Sequence, residues 1–261
     1  METLTKLPRL TLSLISAVLL LQTAAMGAPP KKLDVRTMAD WSIVVADTAI
    51  ESEVYAAEEF RDFFAQSTGH RLSIGSDGPS GTKNVFIGAS DALKNSSLAH
   101  VLDREYAEEE LRIIIALDNI AIVGGRPRGV LFGVYQFLED AMGIRFLAPD
   151  ATHVPRYAAE DADKWYGKSR LRGQLHSVEI SYNPPIECRF VGFGAFQDKT
   201  GQFAARLRAN GRWSGDAVSD KTWRKKVGGH NRKGLILHNI GTWMPFNREE
   251  NPEYFAADKD G

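Results

Sequence analysis

Apolar and polar positions change their period several times along the chain, and the clearest change lies between Asn119 and Pro149. An apolar run at Ile120–Val123 stops at two adjacent glycines, the pattern of a buried strand followed by a tight turn. Apolar residues at helical spacing follow, namely Val130, Val134, Tyr135, Phe137, Leu138 and Met142. Gly143 stands where this helix would end. The run Ile144–Leu147 predicts another strand. We therefore predict a strand, a glycine loop, a helix and a strand, which together form an α/β unit.

The sequence before this block predicts the other elements of the same domain. A helix is indicated by a capping-box pattern at Thr48 and Glu51, by Gly69 at its end, and by apolar residues at helical spacing, which are Ile50, Val54, Ala57, Phe60 and Phe64. Further apolar runs predict strands at Trp41–Ala46, His70–Ile74, Asn84–Gly88 and Leu111–Ala116. The last of these is expected to form a hairpin with the Ile120 strand. The fold class predicted for residues 33–155 is thus a small α/β sandwich domain with a mixed sheet.

The pattern changes after this domain. Polar residues dominate 156–172, which we interpret as a linker on the surface. Apolar runs then predict a strand, a helix and a strand in that order: Ile186–Val191, Asp198–Asn210 with Phe203 and Leu207 inside, and Leu235–His238. This order indicates a second module over residues 173–261.

The N-terminus has the pattern of a secretory signal peptide. Lys6 and Arg9 precede the uncharged run Leu10–Leu21, and small residues follow up to Gly27. A membrane anchor is the alternative, but a span needs about 20 apolar residues, and this run is shorter. We expect a signal peptide over residues 1–27, export to the periplasm or the extracellular space, and no stable membrane anchor after cleavage.

Charge and cysteine content exclude several classes of protein. The net charge of −1 gives no indication of a nucleic-acid partner. The one cysteine, Cys188, cannot form an intrachain disulfide and is interpreted as a small buried apolar residue. Zinc-type spacings of cysteine and histidine are absent from the sequence, so we expect no metal and no cofactor.

A set of residues in the clearest block resembles a motif of known families. It consists of Gly124, Gly125, Arg128, Gly129, Tyr135, Phe137, Leu138, Glu139, Gly143, Arg145, Phe146, Pro149 and Asp150. In this order and spacing it resembles the end of the small α/β domain that precedes the catalytic barrel in family 67 alpha-glucuronidases. A similar domain precedes the barrel of beta-hexosaminidases. The resemblance extends over residues 40–155, and Asn251–Ala256 resembles a stretch that recurs further along in these relatives.

The resemblance implies both a fold and a function for the longer protein. It implies that residues 173–261 begin a (β/α)8 barrel, and that the parent is an exported glycoside hydrolase acting on polysaccharide-derived glycans, uronic-acid-bearing ones among them. Glycosidases of this kind use two carboxylates, which the resemblance places beyond residue 261. A whole barrel takes about 250 residues, so we expect this chain to be an N-terminal fragment without catalytic residues. A natural end at Gly261 is the alternative, with the chain serving as a non-catalytic glycan-binding or structural accessory domain.

The glycine loop permits two interpretations. Gly124 and Gly129 have the spacing of a phosphate-binding loop, but Val130 follows where a lysine is required. Backbone N–H groups with Arg126 and Arg128 would still suit an anion. Alternatively the glycines allow a tight turn and the arginines pair with surface carboxylates. We favour the second interpretation.

Candidate substrate-binding residues lie in the second module. His238, Asn239 and Trp243 combine polar groups with an aromatic ring, as sugar sites do. The planar guanidinium of Arg189 suits a hydroxyl or a uronic carboxylate. The resemblance also supports Arg189 and His238, since its members have an arginine and a histidine near the corresponding strand ends. For each residue taken alone, a structural or solvated role is the alternative.

Overall fold

The structure is a computed structural model, and it describes residues 32–76, 83–157, 174–187, 189, 200–210 and 221–229. The strands, in chain order, are β1 (Lys32–Asp34), β2 (Ser42–Val44), β3 (Ser73–Gly75), β4 (Asn84–Ile87), β5 (Leu111–Ile115), β6 (Asn119–Gly124), β7 (Arg145–Ala148), β8 (Ala151–His153), β9 (Gln174–His176) and β10 (Val178–Tyr182). The helices are α1 (Glu51–Thr68), α2 (Asp91–Lys94), α3 (Gly129–Asp140), α4 (Gln202–Arg206) and α5 (Lys221–Lys226), with short 3₁₀ turns at Val35–Thr37 and Ala99–Leu102.

A six-stranded mixed sheet forms the centre of the described residues, in the order β10-β5-β6-β4-β2-β3. Strands β3, β2, β4 and β6 run parallel, whereas β5 and β10 are antiparallel to their neighbours. The predicted hairpin is confirmed, because Ile113 of β5 lies opposite Ile122 of β6. Two small antiparallel pairs, β1 with β9 and β7 with β8, stand outside this sheet.

Apolar side chains cover both faces of the sheet. The larger cluster contains α1 and α3, whose Phe60 and Phe137 rings lie 5.3 Å apart. A second, smaller cluster of buried apolar residues includes Phe86 of β4 and Leu93 of α2. The predicted fold class, an α/β domain with a mixed sheet, is confirmed. The beginning of a (β/α)8 barrel stays a prediction.

Helix α1 begins differently from the prediction. The proposed capping box at Thr48 and Glu51 is wrong, because Glu51 is already the first helical residue. The carboxylate of Glu53 instead accepts the N–H of Ile50 at 3.1 Å. Val54, which the prediction placed on the apolar face, is 41% exposed. Gly69 ends the helix as predicted, with φ +80°.

The strand predicted at Ile144–Leu147 is present as β7, but it lies outside the central sheet. Within the described residues it pairs with β8. Of its side chains, Phe146 is buried, and its ring meets those of Phe63 and Tyr135 at 5.4 and 5.6 Å. Phe146 therefore packs the β7–β8 hairpin against side chains of α1 and α3.

The described residues after 173 pack on the α/β domain. Strand β10, which sequence patterning did not predict, adds an edge to the sheet beside β5. Residues 186, 187 and 189 of the predicted strand Ile186–Val191 are not in a strand, and the others lie outside the described residues. Helix α4 is shorter than predicted, but Phe203 is buried as expected, within the same core as Val227.

Several predictions fall on residues outside the described ranges. These are the signal peptide, the linker apart from Arg156 and Tyr157, Cys188, the strand Leu235–His238, the stretch Asn251–Ala256 and the binding candidates His238, Asn239 and Trp243. In the ranges that are described, no helix is long and apolar enough to cross a membrane.

Candidate functional site

The glycine loop between β6 and α3 is held by backbone contacts. The N–H of Gly125 donates to the carbonyl of Glu110 at 2.9 Å, and the N–H of Gly129 donates to the carbonyl of Gly125 at 2.7 Å. A Cβ atom on Gly125 would lie 1.7 Å from the carbonyl oxygen of Ala107. The glycines are therefore required because two backbone segments touch here, and these two amides are already engaged within the chain.

Both arginines of the loop pair with carboxylates. Arg126 donates to the two oxygens of Glu53 at 2.9 Å each, and this contact raises the pKa of the arginine. Arg128 donates from Nε to Oε1 of Glu109 at 2.6 Å and also contacts Glu108. The favoured interpretation, in which the two arginines pair with carboxylates, is thus confirmed. Glu108 is exposed, as the interpretation expected, but it was wrong for the other two carboxylates, since Glu53 and Glu109 are buried.

Glu109 is the centre of a buried polar cluster. Its Oε1 accepts from Arg128 and, at 2.8 Å, from the side-chain amide of Asn210, while its Oε2 accepts from Arg189. Burial acts to raise the pKa of Glu109, but the hydrogen bonds from Arg189, Asn210 and Arg128 outweigh it and leave that pKa below its usual range. Glu109 therefore remains ionised at neutral pH.

Arg189, the predicted sugar-binding residue that falls in the described ranges, is engaged inside the protein. Its Nε donates to the carbonyl of Arg208 at 2.9 Å and its Nη1 to the carbonyl of Ile186 at 2.7 Å, in addition to the contact with Glu109. These contacts fasten one part of the chain to another. A substrate-binding role for Arg189 stays a prediction.

A second buried cluster surrounds Glu59 on α1. Arg206 of α4 donates to both of its oxygens, at 3.0 and 3.1 Å. The hydroxyl of Tyr135 donates to it at 3.1 Å, and the amide of Gln202 lies 3.4 Å away. Burial first, and then the charge of Glu59, raises the pKa of the Tyr135 hydroxyl. The hydroxyl therefore stays protonated and available as a donor.

Sequence reasoning did not single out either carboxylate. For Glu59 a signal existed, because it lies four residues after Tyr55 and four before Phe63 and so falls on the buried stripe of α1. A charge at such a position needs a partner. Glu109 lies in the run Glu108-Glu109-Glu110, where composition alone does not distinguish the buried residue from its neighbours.

The chemistry of these two clusters is that of attachment. A glycosidase acid needs a raised pKa, and its partner carboxylate needs open space for a sugar. Glu109 has a lowered pKa, and both oxygens of Glu59 and of Glu109 accept hydrogen bonds from within the chain. The described ranges also contain no group of three or more His, Cys, Asp or Glu side chains placed to hold a metal ion.

A cleft of about 600 Å³ lies where the start of α1 meets the end of α5. It is lined by Ala49, Ile50, Glu51, Ser52, Pro127, Arg224, Lys225, Gly228 and Gly229. The volume is within the range of small-molecule sites. None of these lining residues is aromatic, so the described part of the cleft has no surface on which a sugar ring could stack.

Solved structures with a partly similar fold include glycoside hydrolases. A family GH115 4-O-methyl-alpha-glucuronidase with specificity for decorated arabinogalactans aligns with a TM-score of 0.43 and 9% identity, over 65% of this chain and 24% of that one. A beta-hexosaminidase from Streptomyces plicatus gives a TM-score of 0.39 and 17% identity, over 70% of this chain and 31% of the enzyme. For a GH20 beta-N-acetylhexosaminidase from Streptomyces coelicolor the TM-score is 0.35 at 17% identity, over 62% and 25%.

The chain spans about a quarter to a third of the length of these enzymes. At these values the similarity concerns part of a fold and says nothing of the activity of this chain. The sequence matches no protein-family profile and no curated protein.

Proposed function

We propose that this chain is the N-terminal portion of an exported glycoside hydrolase that acts on polysaccharide-derived glycans, including uronic-acid-bearing ones. In this proposal the α/β domain is non-catalytic and supports the catalytic part of the protein. The acid and base of the reaction lie outside the described residues.

The observation that carries the proposal is the structural use of the motif that resembles the alpha-glucuronidase domain. Tyr135 of the motif donates to buried Glu59, and Arg128 donates to buried Glu109. Arg145 donates to the carbonyls of Glu139 and Ile144, both at 2.7 Å. Because the motif residues hold one α/β unit together, the resemblance is best understood as a shared supporting domain.

A substrate site formed by His238, Asn239 and Trp243, with Arg189 nearby, is part of the same proposal. The residue types support it, since imidazole and amide groups hydrogen-bond to sugar hydroxyls and an indole stacks on a sugar ring. Arg189 carries two further N–H groups beyond the three donations described above.

The decisive experiment is to sequence the gene past the codon for Gly261 and to express the whole reading frame. We expect several hundred further codons, and a product that releases sugars from a panel of uronic-acid-bearing and acetylhexosamine-bearing polysaccharides, whereas residues 28–261 release none. A stop codon after Gly261, or a long product that binds glycans without cleaving them, would overturn the hydrolase proposal and leave an accessory domain.

The binding residues are tested in the same whole protein. His238→Ala and Trp243→Ala are each expected to weaken binding in glycan affinity electrophoresis by tenfold or more. His230→Ala is a matched control, because His230 precedes Asn231 as His238 precedes Asn239. Equal effects of His230→Ala and His238→Ala would contradict a specific site. Export predicts that the secreted protein begins near Ala28 by N-terminal mass analysis.

A further inference from the structure

Among the described residues, the ion pairs between the α/β domain and the chain after residue 185 share one polarity. We call the described residues between 186 and 229 the basic segment. In the described ranges four pairs join it to the domain, and each has its carboxylate on the domain and its cation on the segment: Glu51–Lys225, Glu59–Arg206, Glu109–Arg189 and Glu139–Arg208. In these four pairs the domain supplies the negative charge and the segment the positive charge, an arrangement of complementary charges.

The basic segment depends on the domain for its structure. Its helices α4 and α5 have five and six residues, which is too short for a helix to be stable alone in water. Phe203 and Val227 are buried in the core of the domain, and the ring of Trp223 meets that of Tyr55 edge-on at 5.6 Å. Apolar burial of this kind favours contact but is non-directional, so it does not by itself choose one orientation.

The two most buried pairs supply the direction. The side chains of Glu59 and Glu109 are 10% and 9% exposed, against 49% for Glu51. Glu59 accepts from both Nε and Nη2 of Arg206, a forked geometry that fixes the angle of α4. Glu109 accepts from Arg189 and Asn210, while the N–H of Asn210 donates to the carbonyl of Arg189 at 3.0 Å.

We propose that the face of α1, α3 and the adjoining loop at Glu109 is a docking surface for the basic segment, with Glu59 and Glu109 as its positioning residues. These two carboxylates determine where the segment lies and hence where the chain that follows it leaves the domain. The inference deepens the supporting role proposed above and rests on it. Its test uses no sugar, so its failure is distinguishable from failure of the hydrolase proposal.

The test is hydrogen exchange, followed by mass spectrometry, on the whole chain with Glu59→Gln or Glu109→Gln. Glutamine keeps the size of the side chain and removes the charge. We expect amides of 200–210 and 221–229 to exchange at least tenfold faster in either variant, and those of β4 and β6 to be accelerated much less, because Glu59 and Glu109 also accept hydrogen bonds from Tyr135 and Arg128 of the domain. Glu51→Gln is the matched control and is expected to change neither region.

Two outcomes of that experiment would overturn the proposal. One is an equal acceleration in the sheet and in the basic segment, which would make these carboxylates general stability residues. The other is unchanged exchange in the segment. Should Glu59→Gln fail to fold, Arg206→Gln removes the same pair from the segment's side, and the same localised acceleration is expected.

A charge exchange separates positioning from simple attachment. Arg206→Glu is expected to release the segment, and Glu59→Arg together with Arg206→Glu is expected to restore at least part of the lost protection. A double variant that exchanges as fast as the single one would mean that the polarity of the pair does not determine docking.

Discussion

The central sheet with its two long helices and the basic segment are built on different principles. Helices α1 and α3 lie on the sheet through large apolar side chains such as Phe60 and Leu138, both fully buried. The basic segment has short helices and few buried apolar residues, and it is fastened by arginines that reach carboxylates of the domain. Apolar burial forms the core, while charged pairs fix the position of what lies on it.

This difference predicts two levels of stability in one chain. Elements with many buried apolar contacts open only when the whole domain unfolds, whereas elements held by a few contacts open locally. Substitutions in the core are therefore expected to lower the free energy of global unfolding. Substitutions in the segment are expected to release that segment first, and their cost cannot exceed the free energy of docking.

The largest effect is expected from Phe60→Ala. The side chain is fully buried between α1 and α3, so its loss leaves a cavity and lowers the free energy of unfolding by about 4 kcal/mol. Phe203→Ala, equally buried but in the basic segment, is the matched change. Its effect on the urea midpoint is expected to be clearly smaller. Equal shifts in urea titrations would remove the distinction between the two regions.

Gly125→Ala is expected to cost about 3 kcal/mol, because its Cβ would lie 1.7 Å from the carbonyl oxygen of Ala107 and the two backbones would have to separate. Gly229→Ala is the comparison in the basic segment. Among the described residues no atom lies within 4 Å of its added Cβ, and its positive φ of +74° costs about 1 kcal/mol. Chemical denaturation of both variants measures the difference, and a tolerated Gly125→Ala would contradict the close approach.

Acid is expected to weaken the attachment of the segment through Glu109. Its pKa is lowered in the folded protein, so its contribution to stability is complete above the usual glutamate pKa of 4.5 and is lost as pH falls through the lower folded value. Urea titrations from pH 7 to 3 measure this. The decline below pH about 4.5 is expected to be less steep in Glu109→Gln, and identical slopes would contradict the prediction.

The smallest effect is expected for Lys225→Ala. This lysine and Glu51 are 69% and 49% exposed, so solvent and salt screen the pair and its loss costs about 0.5 kcal/mol or less. Lys94→Ala, which breaks an exposed pair with Asp91 within α2, is the control and is expected to cost as little. A loss well above this in thermal unfolding of Lys225→Ala would mean that charge without burial also anchors the segment.

Local patterns predicted those elements whose cause is local. The strand β6, the glycine loop and α3 follow from an apolar run, adjacent glycines and helical spacing, and Gly69 ends α1 because it accepts a positive φ. The start of α1 was misplaced because Thr48 and Glu51 also fit a cap, and the carboxylate of Glu53 was the group that bonded the helix terminus. Thr48 is the better cap locally, since Ile50 has no side-chain oxygen to bond the helix start, so the local pattern could not predict the observed start.

The two buried clusters around Glu59 and Glu109 are formed by residues that lie far apart in the sequence, and no local pattern contains such contacts. Arg206 and Glu59 are 147 residues apart in the chain, and Arg189 and Glu109 are 80 apart. Sequence reasoning assigned Arg189 to a sugar because a guanidinium suits a carboxylate ligand, and in the fold a carboxylate of the same chain occupies part of that capacity. Which carboxylate a guanidinium meets within the chain depends on the fold, and a substrate-binding role for Arg189 stays a prediction.

By itself the sequence determined the α/β class, the hairpin of β5 and β6, and the requirement for glycines between β6 and α3, because spacing and backbone freedom act over a few residues. Only the tertiary structure decided that β10 belongs to the sheet edge, that β7 lies outside the sheet, and that Glu59 and Glu109 are buried anchors. Edge pairing and burial of charge depend on which distant segments meet, and that choice is made by the free energy of the whole packed chain.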